Sequence, residues 1–536
     1  MPLFNDLGIT EANPSAARGY STFGGGYGEI KGLMQASSYD GVMTFRAVSP
    51  LDAHPYGSPI EECGEAQTCT LIERASAVAP SLADLSPEAH ASLLMCIAGE
   101  IEAKRESLIE TACAETGLPI ARITGEVTRT VVQFQLFAEL VKTGRHLEVV
   151  IDKADPNYSP APRPDIRKLN QPLGVVAIFA ASNFPLAFSV AGGDSASAIA
   201  SGNAVVAKAH PSHPNTCALV ETAIKAALTK SNLSTDLFSI VQGTNPEITH
   251  WLASHPLISA IGFTGSETVG RILIDVAAKR ERPIPVFAEM GSINPIFISD
   301  SAISERCEAL AKGVVDSALL GSGQFCTKPG LIFAPDSADF YTAIKSHLAS
   351  LSVAPLLNGA IFGRYNDAIS RLTSIPNVEI VPGVSTDKGF GVTPTFFFTD
   401  WQTAKSRPEL LDEHFGPTAV VIRTSEDEYC EIAKGLDGQL TSTIHGTESD
   451  SFVELIKILA GKSGRVLWNG FPTGVAVTAA MNHGGPWPAS SSHTTSVGID
   501  AIYRFMRPVA YQGFLDSALP MPLKDSNLWG VPQEIN

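Results

Sequence analysis

Between residues 175 and 290 the chain alternates short apolar runs with longer helical ones, and this alternation constrains the fold more than any other feature. The runs at 175–179, 204–208, 238–241 and 260–263 are too short for helices and read as buried strands. Helical patterns lie between them, over 186–201 with Gly202 as the stop, over 215–228, and from about Ser266 onward. Strand and helix alternating at this spacing imply a parallel sheet covered by helices. Ligands of such sheets sit at the carboxyl ends of the strands.

A second α/β stretch runs over 284–488, with strands at 295–298, 331–333 and 419–422, and is expected to be a separate domain. Upstream, Ser86 can cap a helix that has Pro87 at its first position and Leu93, Leu94, Ile97 and Ile101 on one face, continuing to about Gly117. Residues 158–172 hold Pro160, Pro162 and Pro164, which suggests a connector or an exposed strand. The strand-like segment 501–509 is a partner for it, in the same subunit or a neighbour. The first 40 residues, with Gly24, Gly25 and Gly26, show no period and read as a flexible extension.

At 536 residues the chain exceeds one hydrophobic core, so several packed units are expected. A net charge of −17 without clustered Lys or Arg argues against nucleic acid as a partner. No apolar run reaches the roughly 18 residues of a membrane span, and the start lacks a signal-peptide pattern, so a cytoplasmic protein is expected. Eight cysteines without CxxC or metal-like spacing read as reduced thiols, with no metal site expected. Any cysteine that matters should then matter as a nucleophile.

Four segments carry the candidate chemistry: 181–185 (Ala-Ser-Asn-Phe-Pro), 262–266 (Gly-Phe-Thr-Gly-Ser), 289–291 (Glu-Met-Gly) and 323–327 (Gly-Gln-Phe-Cys-Thr). Cys326 lies in a loop with Gly321 and Gly323 just past a helix; a thiolate there can attack a carbonyl, leaving an oxyanion that needs donors. The Asn183 amide and the Cys326 backbone N–H are candidates. Glu289 ends a strand-like run, and a carboxylate in an apolar cleft, with its proton affinity raised, can act as a general base. Gly265 and Ser266 open a helix whose free N–H groups can receive a pyrophosphate, whereas the GxGxxG turn is missing after the first strand.

In this order, and with Glu413-His414-Phe415-Gly416-Pro417, the segments resemble the aldehyde dehydrogenase superfamily from about Thr44 to Tyr511. The resemblance implies a Rossmann-like coenzyme-binding domain (41–156 and 171–290), an α/β catalytic domain (291–488) and a small β oligomerisation arm (157–170 and 500–512). It further implies an NAD(P)-dependent oxidation of an aldehyde to a carboxylic acid through a cysteine thiohemiacetal and thioester, in a homodimer or homotetramer. Cys326 would be the nucleophile, Asn183 the oxyanion donor and Glu289 the deacylation base. Glu413 would hold the nicotinamide ribose with Phe415 packed near it, Lys208 would face the adenosine ribose, and Thr264, Gly265 and Ser266 the nicotinamide and pyrophosphate.

One departure bears on the cofactor. Many NAD-preferring relatives carry Glu three residues after that lysine; here Pro211 offers no carboxylate to repel a 2′-phosphate, so NADP should be accepted alongside NAD. His210 and Ser212 are candidate phosphate contacts, and no Arg stands nearby in sequence. Segments 183–195, 208–214, 288–295, 469–474 and 483–488 resemble more narrowly the 2-oxoglutarate semialdehyde (2,5-dioxopentanoate) dehydrogenases, with NADP-dependent long-chain aldehyde dehydrogenases as near relatives. A substrate with a distant carboxylate calls for a cation, and Arg129 is the candidate, with Phe184 and Phe325 lining the site. An acylating dehydrogenase that passes the thioester to coenzyme A and a non-catalytic paralogue are the alternatives; a retained Glu289 and a complete set of reacting groups speak against them.

Overall fold

The structure, a computed structural model, describes residues 37–39 and 42–536. The extension expected over residues 1–40 therefore lies outside the described residues, apart from Ser37–Tyr39, which pairs antiparallel with Val42–Val48.

The strands expected between 175 and 290 form one five-stranded parallel sheet in the order Val286–Glu289, Ile258–Thr264, Val175–Phe179, Ala204–Lys208, Phe238–Val241. Val175–Phe179 is buried along its whole length, which explains its continuous apolar run: helices cover both faces of a parallel sheet. The helix expected over 186–201 begins only at Gly193 and runs Gly193–Ala200. Residues 186–192 instead fold back on themselves. The Ala181 N–H bonds to the Phe188 carbonyl at 2.9 Å, and a Cβ on Gly192 would stand 2.6 Å from the Ala187 carbonyl oxygen. Sequence periodicity cannot see so tight a reversal, yet it keeps Phe184 and Phe188 beside the strand end.

Ser86 caps the helix Pro87–Ala103, its hydroxyl accepting from the Ala89 N–H. The continuation to Gly117 is a separate helix, Arg105–Thr116, after a break at Lys104, and it closes on Gly117 at φ 64°.

The later stretch builds a seven-stranded sheet in the order Glu379–Pro382, Thr395–Asp400, Thr418–Arg423, Leu331–Ala334, Ile296–Ile298, Gln439–His445, Ser463–Trp468. All its pairs are parallel except the first. A four-stranded sheet joins Met506–Gln512, Ile166–Pro172, Val149–Asp152 and Gln533–Ile535. The proline-rich segment thus leads into a strand that pairs with the C-terminal strand of the same chain, Met506 opposite Pro172. Only the end of the segment 501–509 is strand. Ile499–Phe505 is a 3-10 helix because Ala501, Ile502 and Phe505 are buried in the core and Arg504 pairs with buried Asp194 at 2.7 Å.

A single large hydrophobic cluster unites the five-stranded sheet and its helices with Leu356, Leu357, Ile361 and Tyr365 from beyond the cysteine loop. The helix Gly359–Thr373 and the segment before it are therefore packed into the same interior as the five-stranded sheet. Among the described residues no helix is long and apolar enough to cross a membrane.

Candidate active site

Cys326 follows the helix Asp300–Leu319 and a turn in which Gly321, Ser322 and Gly323 are all left-handed, with φ 57°, 57° and 66°. Glycine is required at 323: a Cβ there would lie 2.0 Å from the Gly416 carbonyl oxygen, so the cysteine loop rests directly on the Glu413–Pro417 loop. Asn294 fixes the loop from the other side, its amide donating to the carbonyls of Cys326 at 2.8 Å and Lys328 at 3.0 Å. Lys328 in turn donates to the carbonyls of His414 at 2.9 Å and Thr418 at 2.8 Å. These bonds stiffen the loop before any substrate arrives.

Glu289 ends the strand Val286–Glu289, opposite Thr264 in the neighbouring strand, and is 4% exposed. Its Oε1 lies 2.9 Å from His483 Nε2, and Ser496 Oγ donates to its Oε2. The same His483 Nε2 lies 3.5 Å from Cys326 Sγ. One ring nitrogen thus faces both thiol and carboxylate, and a proton can pass among the three. Thiol, imidazole and carboxylate lie within 4.8 Å of one another, and among the described residues this is the cluster able to hold a metal ion, which would occupy the nucleophile itself.

Burial raises the proton affinity of Glu289, but His483, Ser496 and the Cys326 thiol outweigh it, so the carboxyl is held below its usual range. This reverses the rise expected from an apolar cleft, because partners distant in sequence supply the hydrogen bonds. The Cys326 thiol moves the other way: burial, then the negative charge of Glu289, holds it well above the ordinary cysteine range. The resting pair is therefore a protonated thiol beside an ionised carboxylate.

Asn183 reaches the cysteine loop, its side-chain amide donating to the Gln324 carbonyl at 2.9 Å. Phe184 and Phe325 meet edge to face at 5.2 Å and join Phe188, Ala181, Ala187 and Val497 in a small apolar cluster. Arg129 lies on the helix Ile120–Thr143 with its guanidinium 5.2 Å from the Phe188 ring. One of its nitrogens, Nη1, donates to the Val475 carbonyl, while Nε and Nη2 are buried with no hydrogen-bond partner. Phe184 and Phe325 thus share one apolar cluster with Phe188, and Arg129 lies against the Phe188 ring of that cluster.

The residues singled out for cofactor lie around the carboxyl ends of the five-stranded sheet. Ser266 caps the helix Glu267–Ala278, and Thr264, Gly265 and Ser266 are accessible at its N-terminus. Lys208 donates to the carbonyls of Ala209 and Gly243, both at 2.7 Å. Glu413 is exposed and lies over Gly291, where a Cβ would come 2.1 Å from its Oε2. Phe415 packs against the large core cluster. His210 lies 5.6 Å from the His213 ring, partly accessible. Ser212, by contrast, is buried, its hydroxyl accepting from the Asn358 amide at 3.0 Å, so it is not presented to the crevice. No arginine stands near His210 in sequence, but Arg364, on the helix Gly359–Thr373, acts on it electrostatically after burial, His213 and Lys208.

His483 and Ser496 are the functional candidates that sequence reasoning passed over. His483 stands in the segment 483–488 quoted for its resemblance, and a histidine before Gly-Gly-Pro was the available signal. Nothing in sequence tied it to a cysteine so far upstream.

The chain belongs to the aldehyde dehydrogenase family, whose family model matches residues 38–509. More particularly, it is 42% identical over 502 residues to alpha-ketoglutaric semialdehyde dehydrogenase 2 of Azospirillum brasilense, covering 91% of this chain and 95% of the relative. It is also 42% identical over 451 residues to alpha-ketoglutaric semialdehyde dehydrogenase of Acinetobacter baylyi, covering 82% of this chain and 85% of that one. The fold matches lactaldehyde dehydrogenase from Escherichia coli with a TM-score of 0.77 at 22% identity, over 88% of this chain and 96% of that one.

Proposed function

We propose that this chain oxidises 2,5-dioxopentanoate to 2-oxoglutarate, using NADP or NAD. The observation that carries the substrate is Arg129, whose Nε and Nη2 are buried without a partner while its guanidinium lies 5.2 Å from Phe188, in the apolar cluster that also holds Phe325, the neighbour of Cys326. A buried donor left unpaired costs about 1–3 kcal/mol, and a carboxylate at the far end of a short aldehyde would satisfy both. The names of the two 42% identical relatives support the same substrate.

The crevice fits a dinucleotide. An accessible helix N-terminus at Ser266 suits a pyrophosphate, Glu413 suits ribose hydroxyls, and Lys208, His210 and Arg364 supply the positive or neutral surroundings that a 2′-phosphate tolerates. A nicotinamide held there would supply the acceptor for the hydride that leaves the substrate carbon. The chain's own residues do the rest. Cys326 loses its proton toward His483 and Glu289 and adds to the aldehyde carbon, forming a thiohemiacetal. The oxyanion meets the Asn183 amide and the Cys326 N–H. Once the thioester has formed, Glu289 takes a proton from water, which attacks the acyl carbon and releases the acid. Because that base is present, coenzyme A is not required, and rates without it should equal rates with it.

The reading extends to a cytoplasmic homodimer or homotetramer. Leu515 and Phe514 beside the four-stranded sheet and Trp468 on the edge strand Ser463–Trp468 are exposed, as expected of surfaces that associate. In it the five-stranded sheet serves the coenzyme, the seven-stranded sheet the cysteine, and the four-stranded sheet assembly.

Arg129→Met tests the substrate. Its kcat/KM for 2,5-dioxopentanoate should fall roughly 10- to 100-fold, as expected for one charge-assisted contact, with little change for pentanal. Equal losses for both aldehydes would remove Arg129 from carboxylate recognition. The phenylalanine-lined walls favour a second reading, a long-chain aldehyde dehydrogenase; a parent enzyme that prefers decanal to 2,5-dioxopentanoate would establish it.

A further inference from the structure

The helix Ile120–Thr143 carries an ion pair, its carboxylate buried and its guanidinium partly exposed, for which the reaction so far has no use. Arg122 Nε donates to Glu126 Oε1 at 2.8 Å, and Glu126 is 3% exposed. The other oxygen, Oε2, accepts the backbone N–H groups of Leu186 and Ala187, each at 3.3 Å. Arg122 Nη2 donates to the Asn183 carbonyl at 3.3 Å. The guanidinium carbon also lies 4.4 Å from the ring centres of both Phe184 and Phe325. Gly321 leaves room for this arrangement: a Cβ there would come 3.3 Å from Arg122 Nη1 and 2.6 Å from the Phe325 ring.

One cation therefore touches two loops, the one bearing Asn183 and the one bearing Cys326, and its carboxylate partner holds the backbone just beyond Asn183. A pair with a buried carboxylate is a poor source of stability, since desolvation offsets most of the attraction. What it supplies here is geometry. A planar guanidinium seated against two rings that meet edge to face, with its nitrogens committed to a carbonyl and a carboxylate, ties together the two loops it touches.

We propose that Arg122, held by Glu126, is a positioning residue that sets where the Asn183 amide stands relative to the Cys326 sulfur. Arg122 touches no reacting atom in this role; it acts through Asn183. The proposal rests on the reading of Asn183 as oxyanion donor but not on the identity of the aldehyde.

The test uses hydrolysis of p-nitrophenyl acetate, in which Cys326 attacks an ester carbonyl with no cofactor and no distant carboxylate, alongside aldehyde oxidation. For Arg122→Met, kcat should fall in both reactions, by up to about 10²-fold for an ångström of misplacement. KM for aldehyde and for NADP should hold. Arg122→Lys, which keeps the charge but not the planar guanidinium against the two rings, should fall between. In an Asn183→Ala background, Arg122→Met should cost nothing further, because the group it positions is gone. The double variant Arg122→Met/Glu126→Gln, free of a buried unpaired charge, gives the same readings should the single one fail to fold.

Parental kcat in these variants, or a loss that multiplies in full with that of Asn183→Ala, would overturn the proposal. A parent that hydrolyses the ester yet leaves 2,5-dioxopentanoate untouched would sink the substrate reading alone. A parent without esterase activity would sink the oxyanion reading and this proposal together.

Discussion

Cys326→Ala is expected to lose aldehyde oxidation by at least about 10⁴-fold, the scale of removing a nucleophile on which the other groups depend, while NADP still binds with parental affinity by calorimetry. The separation follows from the structure: the thiol lies on the loop beyond Gly323, whereas the residues around Ser266 and Lys208 belong to a different sheet. Turnover in this variant would remove the nucleophile. The same thiol sets the pH dependence. Burial and the charge of Glu289 hold its proton well above the usual range, so in the free enzyme the thiolate fraction grows with every step upward in pH. Accordingly kcat/KM should climb from neutral into alkaline conditions with no plateau near pH 7. Glu289, held low by His483 and Ser496, is already ionised at neutrality and should add no limb there. A profile flat between pH 7 and 9 would contradict the resting thiol.

Glu289→Gln should lower steady-state turnover by about 10²- to 10⁴-fold, the usual worth of a general base, while leaving the first turnover intact. One equivalent of reduced cofactor should appear per active site in a burst, after which the protein should carry the acyl group, visible by intact mass. The glutamine still accepts from Ser496 but can no longer take a proton from water. The competing outcome has a specific author in the structure, since His483 Nε2 also faces the sulfur. Parental turnover in Glu289→Gln, with its loss in His483→Gln, would move the base to the imidazole.

Much of this molecule was legible in its sequence, for a physical reason. Strands buried on both faces must be apolar throughout, and helices between them must show one apolar face, so 175–179, 204–208 and 238–241 declared themselves and were found within a residue of their bounds. Local chemistry was legible too: Ser86 before Pro87 makes a cap wherever it stands. The reversal at 186–192 was not, because it depends on Gly192 packing against the backbone of Ala187 and Phe188 rather than on any period. Nor was the break within 501–509, where Arg504 and Phe505 follow the core instead of their strand propensity. The strand Gln533–Ile535, short and largely exposed, carries no pattern at all.

The order and spacing of Asn183, Glu289, Cys326 and Glu413 marked out a chemistry from sequence alone, since nucleophile, donor and base are recognised by residue type. Tertiary structure alone decided their state. It brought His483 and Ser496 to Glu289 and turned an expected rise in proton affinity into a fall; it buried Ser212, let Arg364 act electrostatically on His210, and set Arg122 against two phenylalanines from different loops. Residue types travel with the chain, but desolvation and hydrogen bonding depend on which distant segments close over a group, and that is written only in the packing.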